Sequence, residues 1–151
     1  MNNIFNPSDR AELERRLGRL TVDSPRGWGR MTPHQAVCHL NDWLKASLGD
    51  RPQPDHATTL KTRIIRFVAF TIPMPWPHGV KTSAGLDAEQ GGTRPGDFDQ
   101  DVADLRDLVR RFVETDGRGL GRHYKWGDMS RGEWGRYGYR HMNHHLGQFG
   151  V

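Results

Sequence analysis

The sequence predicts an all-α fold: a four-helix bundle with a long, partly helical insertion between its second and third bundle helices. Two observations carry this. Four segments repeat apolar residues at helical spacing, whereas the alternation expected of strands is weak throughout. Two of the four also open on a capping box. The 151 residues fit a single domain over 1–151. A chain of that size buries roughly 70% of its unfolded surface, enough to fold without disulfides or a structural metal.

The first bundle helix is expected over residues 8–20, with Leu13, Leu17 and Leu20 on its apolar side. Pro25, Gly27 and Gly29 then mark a loop. Thr32 caps the second helix, Pro33 takes its first position, and Gln35 completes the box. It runs to Leu48, where Gly49 stops it, with Val37, Leu40, Leu44 and Leu48 as its main stripe. Residues 49–96 form the insertion. Within it, 59–71 reads as a short helix with an unusually apolar surface, expected to pack across the bundle or onto a second copy. The prolines of 73–77 force extended chain, and 85–96 reads as a flexible loop. The third bundle helix spans 97–115, with Asp97, Asp99 and Asp101 at the positive end of its dipole and Gly117 after it. Ser130 and Glu133 cap the fourth.

Composition excludes several classes. The net charge of +4 is spread along the chain, with no basic stripe and no nucleic-acid-binding motif, so no nucleic acid partner is expected. The apolar stretch 64–76 is shorter than the roughly 20 residues of a membrane span, so no membrane is expected. The first residues lack the pattern of a signal peptide, and Cys38 is the only cysteine. A cytoplasmic protein is the expectation.

The histidines carry the chemistry. His141, His144 and His145 fall within five positions near the end of the fourth helix. With His141 at zero, Trp134 lies at about +20°, His145 at about +40° and His144 at about −60°. His141 and His145 therefore share the aromatic face and are preferred over a His141/His144 pair. Two imidazoles four apart on a helix can address one metal ion. His39, flanked by Ala36, Trp43 and Ala46 on the second helix, is the candidate third ligand.

The chain here resembles the DinB-like superfamily of bacterial metal-binding four-helix bundles, closest to a branch known only as a domain of unknown function. The resemblance rests on Trp28-Gly29-Arg30-Met31-Thr32-Pro33-His34-Gln35 leading into His39-Leu40, on Pro75-Trp76-Pro77, and on the ending from Met129-Ser130 through Glu133-Trp134 and His141 to His144-His145-Leu146-Gly147-Gln148-Phe149-Gly150. It implies one divalent metal ion on His39, His141 and His145. It also implies thiol-dependent transferase or metal-dependent hydrolase chemistry, with a low-molecular-weight thiol as co-substrate in the first case. Relatives often carry Arg-Gly-Gln after the last ligand, where this chain has Leu146-Gly147-Gln148.

A three-imidazole site leaves a coordination position open, unlike a closed structural zinc site. The expectation is a metal-dependent enzyme activating a thiol or water against a small electrophilic substrate. Its alternative is a non-catalytic metal-binding or interaction protein. Zinc or nickel is the expected ion, with iron or manganese behind them. A homodimer is expected from the apolar insertion. Asp42 and Glu133, the acidic residues nearest the ligands in sequence, are candidate acceptors for the ligands' outer ring nitrogens, but Asp42 reads first as a surface charge and Glu133 as a cap. Gln148, at about −20°, is placed to hydrogen-bond a ligand or the chain end. Tyr137 reads as core or proton donor, and Cys38 as a buried cysteine. His34, His56 and His78 read as surface residues, and His123 as a surface loop residue, with a place in the pocket mouth as its alternative.

Overall fold

A computed structural model describes residues 1–52, 59–72, 76–79, 84–87 and 89–151. Its elements are α1 (Pro7–Leu17), α2 (Pro33–Leu48), α3 (Leu60–Thr71), a 3-10 turn (Ala84–Leu86), α4 (Phe98–Glu114) and α5 (Arg131–Gly147). The described residues are helical or loop, with one isolated β-bridge between His123 and Gly127. No helix among them is long and apolar enough to cross a membrane. His56 and residues 73–75 of the expected proline turn lie outside the described residues.

Both predicted capping boxes form, at Thr32–Gln35 and at Ser130–Glu133. A third, Thr59–Thr62, opens α3. Gly49 ends α2 at φ +84°, a left-handed conformation that costs glycine little. α1 stops at Leu17, three residues short of the expected end, because Gly18 begins a tightened turn there. Leu20 is buried beyond that end all the same.

α2 lies at the centre, and nearly all its residues are buried, packing most extensively against α4. α5 packs against α1, α2 and α3. Trp43, Leu44, Leu105, Phe112 and Trp134 fill the space between them. The N-terminal segment closes the core: Ile4 is fully buried, and its N–H donates to the Gly135 carbonyl at 3.0 Å. Gly135 and Gly138 admit this crossing, since a Cβ on Gly135 would sit 2.0 Å from Asn3 Oδ1.

α3 is held to α5 by Arg66, whose guanidinium donates to both Glu133 oxygens at 2.7 and 2.6 Å and to the Trp126 carbonyl at 2.9 Å. Burial alone raises the Glu133 carboxyl. The bonds from Arg66 and Ser130 outweigh it and hold the group at about 2. Glu133 therefore serves the cap and this ion pair rather than a ligand histidine. Phe70 is the buried side chain of α3, while Leu60, Ile64 and Phe67 are exposed on its outer face.

The described residues of 85–96 are not the free loop their glycines suggest. Leu86 is buried, and Arg51 donates to the Gly85 and Gly91 carbonyls at 2.7 Å each.

Candidate metal centre and its cavity

His39, His141 and His145 come together. One ring nitrogen from each lies within 4.8 Å of the other two, and all three residues are at least nine-tenths buried. His39 reaches the site from mid-α2, and His141 and His145 from the same face of α5. The ring centroids are 4.7 to 5.1 Å apart.

The hydrogen bonds fix which nitrogens are free. His39 Nδ1–H donates to the Leu86 carbonyl at 2.7 Å, leaving a lone pair on its Nε2. His145 Nδ1–H donates to Gln148 Oε1 at 2.7 Å, leaving a lone pair on its Nε2 as well. His39 Nε2 and His141 Nε2 stand 3.1 Å apart. Two imidazole nitrogens bound to one zinc ion at about 2.0–2.1 Å in tetrahedral geometry are about 3.3 Å apart, so this pair is already near ligand spacing. His141 Nδ1 is buried with no hydrogen-bond partner.

Burial holds all three imidazoles neutral by lowering their affinity for protons. In His141 the neighbouring His145 and His39 add to it. Neutral imidazole is the form that binds a metal. The donor set, its buried position and the two anchored rings fit a divalent ion, and these buried residues could hold one.

The outcome differs for the other expected residues. Gln148 bonds a ligand candidate directly. Asp42 is wholly buried rather than a surface charge, and it binds Arg51 and Thr93 rather than a histidine. The orienting acceptor for His39 is instead a backbone carbonyl, that of Leu86. His144 is half-buried beside Trp28 and outside the triad. His78 is exposed and stacks on Trp28 at 3.7 Å.

His34 is buried, against expectation, and bonds Asp101 at 2.6 Å. With Cys38 these form a second close cluster. It joins the starts of α2 and α4, and burial together with Asp101 pushes the Cys38 thiol up to about 12.

The triad opens onto a cavity of about 230 Å³ lined largely by aromatic and aliphatic side chains, among them Trp43, Trp76, Leu86, Trp126 and Tyr137. Among the described residues lining it there is no carboxylate, and Lys125 is the one permanent charge.

His123 lines the same cavity and is 2% exposed, which corrects its reading as a surface loop residue. The chain between His123 and Gly127 closes on itself through two backbone hydrogen bonds of 3.0 and 2.8 Å, with Gly127 at φ +68°. This turns the imidazole inward. A glycine four residues after His123 is the only trace of that turn in the sequence.

Burial, helped by Lys125 and Arg66, lowers the His123 pKa from 6.5 to about 3. The unfolded chain therefore binds a proton below 6.5 that the folded protein refuses. The sign follows: stability is intact above that value and is lost as pH falls toward about 3, by up to ~1.4 kcal/mol per pH unit. His123→Asn is expected to flatten the fall of the urea midpoint between about pH 6 and pH 5 by about one proton.

No family model, curated protein or solved structure matches this chain.

Proposed function

We propose that the chain is a DinB-like four-helix bundle holding one divalent metal ion on His39, His141 and His145. We further propose that it is a metal-dependent enzyme activating a thiol or water against a small electrophile. In this reading α1, α2, α4 and α5 are the bundle helices, and α3 belongs to the insertion.

The observation that carries it is the meeting of three buried neutral imidazoles from two helices, two of them anchored through the outer nitrogen. An ion bound there would supply Lewis acidity, lowering the pKa of a bound water toward about 7 or holding a thiol as thiolate. The chain's own residues do the rest. Leu86 and Gln148 orient the His39 and His145 rings. Trp43, Trp76 and Tyr137 pack their rings against His141 and screen it from water. The three ligands are neutral and the described wall carries no carboxylate, so the ion would keep its +2 charge toward the open position, which favours an anionic thiolate or hydroxide. Imidazole suits zinc or nickel, with iron or manganese as the next candidates.

Untagged protein should take up one equivalent of zinc or nickel by mass-spectrometric metal analysis, and His141→Ala less than about a tenth. A wild type that takes up neither these nor manganese overturns the site. In cobalt-substituted protein, an added small thiol is expected to change the visible spectrum. A spectrum indifferent to both thiol and azide leaves only the non-catalytic alternative.

A further inference from the structure

Two N–H donors on cavity residues outside the triad have no acceptor. His123 Nε2 and Trp43 Nε1 are buried without a hydrogen-bond partner, and both residues line the cavity beside the triad. The tautomer of His123 is settled by its own loop. Its Nδ1 accepts from the Lys125 and Trp126 backbone N–H groups at 3.1 and 3.2 Å. The proton of the neutral ring is therefore on Nε2. A nitrogen that carries a proton offers no lone pair, so His123 is no fourth metal ligand. Trp43 can only donate.

Leaving a buried donor unsatisfied costs about 1–3 kcal/mol, and an acceptor arriving with a ligand removes that cost. The shape and polarity of the space say what kind of ligand. A cavity of about 150 Å³ already admits benzene, and this one is about 230 Å³. Ile65, Ala69, Trp76, Leu86 and Trp126 give it an apolar wall. The Lys125 cation and the absence of a carboxylate among the described lining residues disfavour a cationic guest.

We propose that this cavity binds a small apolar molecule carrying a carbonyl oxygen, and that His123 Nε2–H is the positioning donor for that oxygen. Trp43 Nε1–H offers a second donor from another residue that lines the cavity. The inference rests on the proposed function only in calling this molecule the electrophilic substrate. The binding itself requires no metal.

Acetophenone and ethylbenzene test it, because they differ chiefly by one carbonyl oxygen. Their affinities are measured by calorimetry on zinc-loaded and metal-stripped wild type and on His123→Asn. The asparagine can place an amide oxygen where Nδ1 stands, so the loop keeps an acceptor, while nothing replaces the Nε2–H. Wild type is expected to prefer acetophenone by about tenfold or more in both metal states, and His123→Asn by about threefold or less. The ¹H–¹⁵N signal of His123 Nε2–H should move downfield with acetophenone and stay put with ethylbenzene, a readout that needs no variant.

Equal affinity for the two compounds in wild type, or binding of neither, overturns the proposal. So does a preference that survives in His123→Asn. If that surviving preference needs zinc, the carbonyl is on the metal: the metal reading stands and the role of His123 falls. If no metal is taken up but the preference tracks His123, the metal reading falls and this one stands.

Discussion

Zinc at a thousandfold excess over its dissociation constant is expected to raise the thermal midpoint of the metal-stripped protein by roughly 8–16 °C. The size follows from mass action. A ligand at that excess that binds only the folded state stabilises it by about 4 kcal/mol, and a chain of this length gains about 2–4 °C per kcal/mol. The folded state is the only one that assembles the site, since residue 39 and residues 141 and 145 are far apart in sequence and meet through the packing of α2 and α5. In His39→Ala or His145→Ala two imidazoles remain, and the shift should fall to within about 2 °C of zero. His34→Ala is the control. The His34–Cys38–Asp101 cluster has comparable spacing, but its ligand atoms are engaged. Asp101 Oδ2 accepts from His34 Nε2 at 2.6 Å and from the Gly96 N–H at 3.3 Å, and the Cys38 thiol is held protonated. His34→Ala should lower the metal-free midpoint and leave the zinc shift intact. A shift kept in both triad variants and lost in His34→Ala would move the metal to the second cluster.

What the sequence made legible is local in origin. A capping box lies within four residues, so Thr32–Gln35 and Ser130–Glu133 announce their helix starts without reference to the rest of the chain. The same holds for the shared face of His141 and His145, and for Gln148 beside them, because helical rotation alone places them. The all-helical class follows from such local signals. What stayed hidden depends on long-range contact or on backbone atoms. The Leu86 carbonyl orients His39, yet a carbonyl belongs to every residue and leaves no mark in the sequence. His123 looks like a polar loop residue until its loop folds back through Gly127 and two N–H groups take its Nδ1. Asp42 looks like surface charge because its partners, Arg51 and Thr93, come from the insertion. Ile4 gives no sign that α5 keeps Gly135 and Gly138 bare to receive the N-terminal segment.

The buried Asp42 yields the second large effect. Asp42→Ala is expected to cost about 3–5 kcal/mol of stability, and to weaken zinc binding by about 10–100-fold although residue 42 touches no ligand nitrogen. The carboxylate is fully buried, binds Arg51, and accepts from the Thr93 hydroxyl at 2.6 Å and the Thr93 N–H at 2.7 Å. Removing it leaves the Arg51 guanidinium largely buried without its counter-charge, which is where the stability cost arises. The affinity cost arises one step further along. The other arm of Arg51 donates to the Gly85 and Gly91 carbonyls at 2.7 Å each, holding the turn whose Leu86 carbonyl accepts from His39 Nδ1. Once Arg51 is released, that carbonyl is no longer fixed and the His39 ring loses its orientation. Asp42→Asn keeps one of the two acceptor oxygens for Thr93 but not the charge for Arg51, so it should fall between wild type and Asp42→Ala in both measurements. Urea midpoints read the stability, and competition with a chromophoric chelator reads the zinc affinity. If stability falls as expected while zinc affinity holds at the wild-type value, Arg51 does not transmit to His39, and the turn carrying Leu86 is held by its own packing.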